Sequence, residues 1–245
     1  MGRFEREISR VFLLVVFLLF ASKVWAYQLS PLSVTYSPNG IESTKAYTIT
    51  NDSDSPIAIE MKVYKRFVDI NGKEYTEEAP QYFSIQPQKM IIKPQSTQII
   101  RVQYRGPRTV TKEMSFRIVS EQIAYSQGAT IQQGNQMINF LFVYSTAAYV
   151  EPTRVIERVS SSARVIDGKL ELTLENTGSV HQLLDNLSVA LSSSKGNYTL
   201  SDSELEGMTG VNLLTDSKLI KTIECPEQLK GANSFDVDIS YDFTY

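Results

Sequence analysis

Apolar and polar residues alternate along most of this chain with a period of two, the spacing of a half-buried β-strand. Ile57, Ile59, Met61 and Val63 share one face of such a segment. Ile100, Val102 and Tyr104 share a face of another, with Ile99, Arg101, Gln103 and Arg105 opposite. Residues 34–36, residues 46–50 and the pair Phe116 and Ile118 extend the series. Turn chemistry punctuates it: a dense cluster at 51–56 (NDSDSP) and Asn71-Gly72, a strong hairpin signal. Pro152, which has no amide hydrogen to give a sheet, closes the first series within Glu151-Pro152-Thr153, which predicts a connector. A second series follows. Leu170, Leu172 and Leu174 alternate after Asp167-Gly168, and Asn176-Thr177-Gly178 turns the chain. Leu187, Val189 and Leu191 come next, then residues 219–223 and 235–239. No long helical period competes, and short turns are expected only near 201–206 and 225–229. Two packed antiparallel sheets are the economical way to bury such a set.

One segment breaks the pattern. Residues 137–150 (MINFLFVYSTAAYV), reached through a polar stretch at 124–136, read as one unusually long strand. Ile138, Phe140, Phe142 and Tyr144 fall on one face and Leu141 and Val143 on the other. A strand apolar on both faces cannot lie at a solvated sheet edge without a partner. It is either the middle of its own core or a strand offered to another protein, and the pattern leaves both open. Offered, it would act by β-augmentation. Each main-chain hydrogen bond then contributes roughly 0.5–1.5 kcal/mol net and each seated apolar side chain about 1.5–3 kcal/mol.

Charge and composition narrow the partners. Residues 1–26 read as an export leader: Arg3, Arg6 and Arg10 precede an apolar run at 11–21, and Val24-Trp25-Ala26 offers cleavage after Ala26. The run is short for a membrane span, so the mature protein is not expected to be membrane-embedded. Removing the leader takes away four basic and two acidic residues, so the formal charge falls by two from −3 to about −5. That balance argues against nucleic acid. Cys225 is the only cysteine, which excludes an intrachain disulfide and predicts a buried thiol. His181 is the only histidine, expected in a loop, which removes most metal sites and histidine-dependent triads. No phosphate-binding, nucleophile-elbow or dinucleotide motif is present, and neither enzymatic activity nor a cofactor is expected. The adjacent Glu77-Glu78 reads as a solvated pair. What remains is a binding surface.

The chain resembles the periplasmic pilus-assembly chaperones of the chaperone–usher pathway, the PapD-like family. The resemblance rests on Val34-Thr35-Tyr36 ahead of Gly40, and on Thr48-Ile49-Thr50-Asn51 with Pro56. It continues through Phe83-Ser84-Ile85-Gln86-Pro87, Ile92-Lys93-Pro94-Gln95 and Ile100-Arg101-Val102. Lys112 to Ile118 (KEMSFRI), running on to Glu121-Gln122-Ile123, matches the family's glutamate–aromatic–aliphatic signature, and the long strand ends at a proline where the family's donor strand enters its linker. The resemblance implies an all-β protein of two immunoglobulin-like sandwiches set at an angle, with a leader at 1–26, a chaperone domain at 27–152 and a second domain at 153–245. It implies capture of pilus or fimbrial subunits by donor-strand complementation, with Ile138, Phe140, Phe142 and Tyr144 as donor residues, and delivery to an outer-membrane usher. Self-association of the free chain is a further expectation. The common members anchor the subunit's C-terminal carboxylate with an arginine and a lysine, at whose places this chain has Ser33 and Ala147. Arg101 and Arg117 are the nearest basic candidates on matched strands, and Arg101 is equally readable as a structural ion-pair partner. Glu151 stands where the family's linker is usually basic. These departures suggest a divergent or archaic branch. The alternative is an exported β-sandwich structural or surface protein, itself a pilus component.

Overall fold

The computed structural model describes residues 27–124, 130–133 and 136–242, with side chains described outside 130–139. The leader, its cleavage after Ala26 and the side chain of Ile138 lie outside the described residues. Twelve strands form the first half: β1 (Gln28–Ser30), β2 (Ser33–Tyr36), β3 (Thr44–Asn51), β4 (Ile57–Val68), β5 (Glu74–Glu78), β6 (Phe83–Gln86), β7 (Lys89–Ile92), β8 (Ser96–Tyr104), β9 (Met114–Ile123), β10 (Thr130–Gln133), β11 (Gln136–Asn139) and β12 (Val143–Val150). One sheet runs β1-β3-β8-β6 and the other β2-β12-β9-β4-β5, with β7 also on β4. The faces predicted to be apolar meet between them: Ile59, Met61, Ile100, Val102, Phe116 and Ile118 are buried in one core with Tyr36 and Tyr47.

The second half contains β13 (Val159–Ile166), β14 (Lys169–Asn176), β15 (Gln182–Leu183), β16 (Asp185–Ser192), β17 (Asn197–Thr199), β18 (Asn212–Leu213), β19 (Lys218–Glu224) and β20 (Asp236–Asp242). Sheets β13-β14-β19 and β17-β16-β20 enclose a separate core in which Leu170, Leu172, Leu174, Leu187, Val189 and Leu191 are all buried. The molecule is a two-domain, immunoglobulin-like all-β protein, and no α-helix occurs among its described residues. Cys225 is free and buried beside this second core.

Side-chain amides set the predicted turns. The Asn51 amide donates to the carbonyls of Ser55 (2.9 Å) and Lys93 (3.0 Å), and its oxygen accepts from the Ser53 amide at 3.1 Å. Asn176 repeats the device, donating to Val180 and Leu213 carbonyls and accepting from the Gly178 amide. In the β4–β5 turn the Asp69 carboxylate accepts from the Asn71 and Lys73 amides at 2.9 Å each. Gly72 has φ 80° there, and a Cβ at this position would press on Leu219 and Val211 at 3.3 Å. Only glycine suits both the left-handed backbone and the close approach to the second sandwich.

Two expectations need correction. The segment 137–150 is not one strand. Its first residues, with part of the polar stretch before it, form the separate β10–β11 hairpin, and Phe140, Leu141 and Phe142 lie between β11 and β12. Glu77 and Glu78 are exposed as expected, but on strand β5 instead of a loop.

Candidate functional site

Strand β12 runs beside β9 along its whole length, from Val143 opposite Glu121 to Val150 opposite Met114. On its other side β2 covers only half of it, in parallel, from Ser33 beside Ala147 to Tyr36 beside Val150. Residues 143–146 therefore have no strand partner on that side among the described residues. The main-chain parity follows from two bonds. The Phe142 carbonyl accepts from Gln122 on β9, whereas the Ala147 amide donates to Leu32 on the β2 side. By the period of two, Val143 and Ser145 direct their amides and carbonyls to the open side.

The side chains have a parity of their own. Thr146, Ala148 and Val150 are buried, and Phe142 and Tyr144 pack on the first core, Tyr144 edge-on to Tyr27 at 4.7 Å. Leu141 (47% exposed) and Val143 (60%) face solvent, and Phe140 (45%) is exposed at the strand's approach. Of the expected donor residues, Phe142 and Tyr144 thus lie against the first core and Phe140 is exposed. Both faces of the segment are apolar, so alternation gave the period without saying which set the core would take.

At the closed end of β12, register places Ser33, Ala147, Arg117 and Tyr64 side by side across four strands. Arg117 holds Glu74 of β5 with two bonds, Nε to Oε1 at 2.8 Å and Nη2 to Oε2 at 2.5 Å. Arg66 of β4 binds the same carboxylate through Nε at 2.7 Å and donates from Nη1 to the Tyr149 hydroxyl at 3.2 Å. Two guanidinium groups share one carboxylate, so the cluster keeps one surplus positive charge. It borders a cleft of about 710 Å³ between the sandwiches, which is also lined by Lys65, Lys112 and Lys218. Arg101 lies elsewhere, on β8 beside Ala46 and Gln86 in the opposite sheet, and no described carboxylate pairs with it.

Burial raises the Glu74 pKa, but the Arg117 hydrogen bonds and the charges of Arg66 and Arg117 outweigh it and leave the group below its ordinary 4.5. A carboxyl whose folded pKa is depressed contributes stability above its unfolded value and loses it as pH falls through the folded value. The stability difference between the wild type and Glu74→Gln is therefore expected to be full at pH 6 and to shrink below about pH 4.5. Urea titrations of both proteins between pH 6 and pH 3 measure this, and a difference that stays constant over that range contradicts it.

The sandwiches meet at a second charged cluster. Glu113, just before β9, has a side chain only 1% exposed. It pairs with His181 Nδ1 at 2.8 Å, and its backbone amide donates to the Ser179 carbonyl at 2.8 Å. The His181 ring stacks on Tyr149 with centroids 4.0 Å apart and 11° between planes. The Tyr149 hydroxyl accepts from Asn212 Nδ2 at 2.8 Å. Glu151 is pushed up, first by burial and then by the charge of Glu113. An ion pair of Lys112 with Asp216 and a bond from the Ile220 amide to the Ile70 carbonyl (2.8 Å) complete the seam.

Residues 27–156 match the model of the pili and flagellar-assembly chaperone family, PapD N-terminal domain. The chain belongs to this chaperone family. Solved structures agree in fold. The class 5 fimbriae chaperone CfaA is 13% identical, with a TM-score of 0.59, over 89% of this chain and 100% of that one. A chaperone–tip subunit complex, CsuC–CsuE, from the archaic chaperone–usher Csu pili of Acinetobacter baumannii is 15% identical, with a TM-score of 0.55, over 82% and 88%. The Salmonella enterica SafB chaperone with its SafA pilin gives 12% and 0.52 over 90% and 99%. A search of curated protein sequences finds no match.

For a pilus-assembly chaperone, three placements matter. Ser33 and Ala147, expected at the family's two anchor positions, are direct cross-strand neighbours but carry no charge. Arg117 stands one strand further in, beside Ala147, while Arg101 is in the other sheet. The seam is built on Glu113 and a histidine. Sequence reading missed Arg66, Glu74, Tyr149 and the Glu113–His181 pair. Arg66 lies on the polar face of β4 and is buried there, bonded to Glu74 and Tyr149, which nothing in its own strand signals.

Proposed function

We propose that this protein is a periplasmic chaperone that binds pilus or fimbrial subunits by donor-strand complementation and passes them to an outer-membrane usher. On this reading the leader at 1–26 is removed after Ala26, residues 27–152 form the donor domain and residues 153–245 the second. The observation that carries the reading is the half-open edge of β12. Val143 and Ser145 offer unpaired main-chain groups, while Leu141 and Val143 hold apolar side chains in solvent. A subunit sandwich lacking one strand supplies what both lack, a partner edge and a dry groove. Phe140 is a further exposed apolar side chain at the strand's approach. Phe142 and Tyr144 support it from behind, as packing for the strand and not as groups that enter the subunit. The subunit's terminal carboxylate is assigned to Arg117, the basic residue on β9 opposite Ala147.

Complexes of chaperones with a pilin or a tip subunit among the similar structures support the choice of partner. Self-association of the free chain through the same edge is the accompanying expectation. The test is periplasmic co-expression with a fimbrial subunit that lacks its final strand. A soluble one-to-one complex is expected, and a subunit that aggregates equally with and without this chain would overturn the reading.

A further inference from the structure

The carboxylate of Glu74 already occupies the place that the proposed anchor would give to a client. Arg117 and Arg66 converge on it with three bonds of 2.5 to 2.8 Å, the geometry with which two guanidinium groups receive a terminal carboxylate. Glu74 is nonetheless the most exposed of the three groups. It is the first residue of β5, an edge strand paired only with β4, and its side chain is one-third exposed (32%), against 8% for Arg66 and 21% for Arg117. The fixed partners are thus the two cations and the movable one is the anion. Beside them the Ser115 hydroxyl, buried at the cleft wall, has no hydrogen-bond partner among the described residues. A buried hydroxyl without a partner costs free energy.

We propose that Glu74 is a displaceable internal stand-in for the client's C-terminal carboxylate, so that position 74 sets how strongly this chaperone discriminates a free terminus. This rests on the assignment of Arg117 as the anchor. In the free protein Glu74 neutralises one of the two guanidinium groups, and the second leaves a standing attraction for another anion. Arrival of a client carboxylate at Arg117 displaces Glu74 outward into solvent. Arg66, held by Tyr149, stays in place and keeps the local field positive. Occupation by Glu74 lowers client affinity, because part of the incoming interaction replaces one that already exists.

The experiment uses the mature chain and one synthetic probe, a six-residue peptide of alternating Val and Thr ending in Tyr, made as the free acid and as the amide. Titration is expected to show a few-fold preference of the wild type for the acid. Glu74→Gln should widen that preference by about five- to tenfold, the scale of one net hydrogen bond regained. Glu74→Asp, too short to reach both arginines, should fall between them and serves if the glutamine variant folds poorly. Arg117→Gln should abolish the preference. If Arg117→Gln abolishes it but neither substitution at 74 widens it, the stand-in is overturned and the anchor stands. If Arg117→Gln leaves the preference intact, the anchor is overturned and the stand-in falls with it.

Discussion

His181→Phe is expected to destabilise the protein by about 1–3 kcal/mol, the scale on which a buried polar group is left without its hydrogen-bond partner. Phenylalanine keeps the ring that stacks on Tyr149 and fills a similar volume, so the change isolates the loss of Nδ1. Without it, the buried Glu113 carboxylate retains only the His181 backbone amide at 3.3 Å. Its nearest charged neighbours do not help, since Glu151 is another acid and Lys112 is engaged with Asp216. Glu113→Gln in the His181→Phe background should recover much of the loss, because a neutral amide does not require a counter-charge. Urea unfolding of the two single variants and the double variant closes the cycle. A His181→Phe loss below 1 kcal/mol, or a double variant no more stable than the single, would show that the pair does not hold the seam. Because Glu113 and His181 belong to different sandwiches, partial uncoupling of the two unfolding transitions is a second expected signature.

Much of the fold was legible because strands announce themselves locally. Leu170, Leu172 and Leu174 alternate in sequence and are all buried, and the Asn51 and Asn176 clusters turn the chain where their side-chain chemistry says they should. The half-open strand was legible as unusual but not as oriented. With Phe142 and Tyr144 on one face and Leu141 and Val143 on the other, hydrophobicity was nearly balanced, and the decision fell to residues further along. Thr146 and Ala148, small enough to pass beneath the opposite sheet, take the buried face and fix the parity of everything before them. The charged clusters were the least legible. Glu74 lies 43 residues from Arg117, and His181 lies 68 residues from Glu113. Neither separation follows from any local period. The one available signal for the second pair was compositional: a lone histidine and an isolated glutamate at the head of a hydrophobic strand are each costly to bury alone.

Replacing Leu141 and Val143 together by aspartate is expected to weaken subunit capture by roughly a hundredfold or more, because two apolar side chains that each contribute about 1.5–3 kcal/mol on burial are lost and two charges would have to be desolvated. The same change should shift the stability of the free protein by only about 0.5 kcal/mol, since both side chains already face solvent. That contrast separates a strand offered to a partner from one needed at home. Phe142→Asp supplies the opposite case. Phe142 packs on the first core, so its loss should lower the melting temperature of the free chaperone before it affects binding. Co-purification yield with a strand-deficient subunit, read beside thermal melts of each free variant, distinguishes the two behaviours. If the Leu141/Val143 variant keeps full capture, the outward face of β12 is not the contact surface. If it loses capture only in step with its own unfolding, those side chains serve the chaperone's own sandwich and not the subunit.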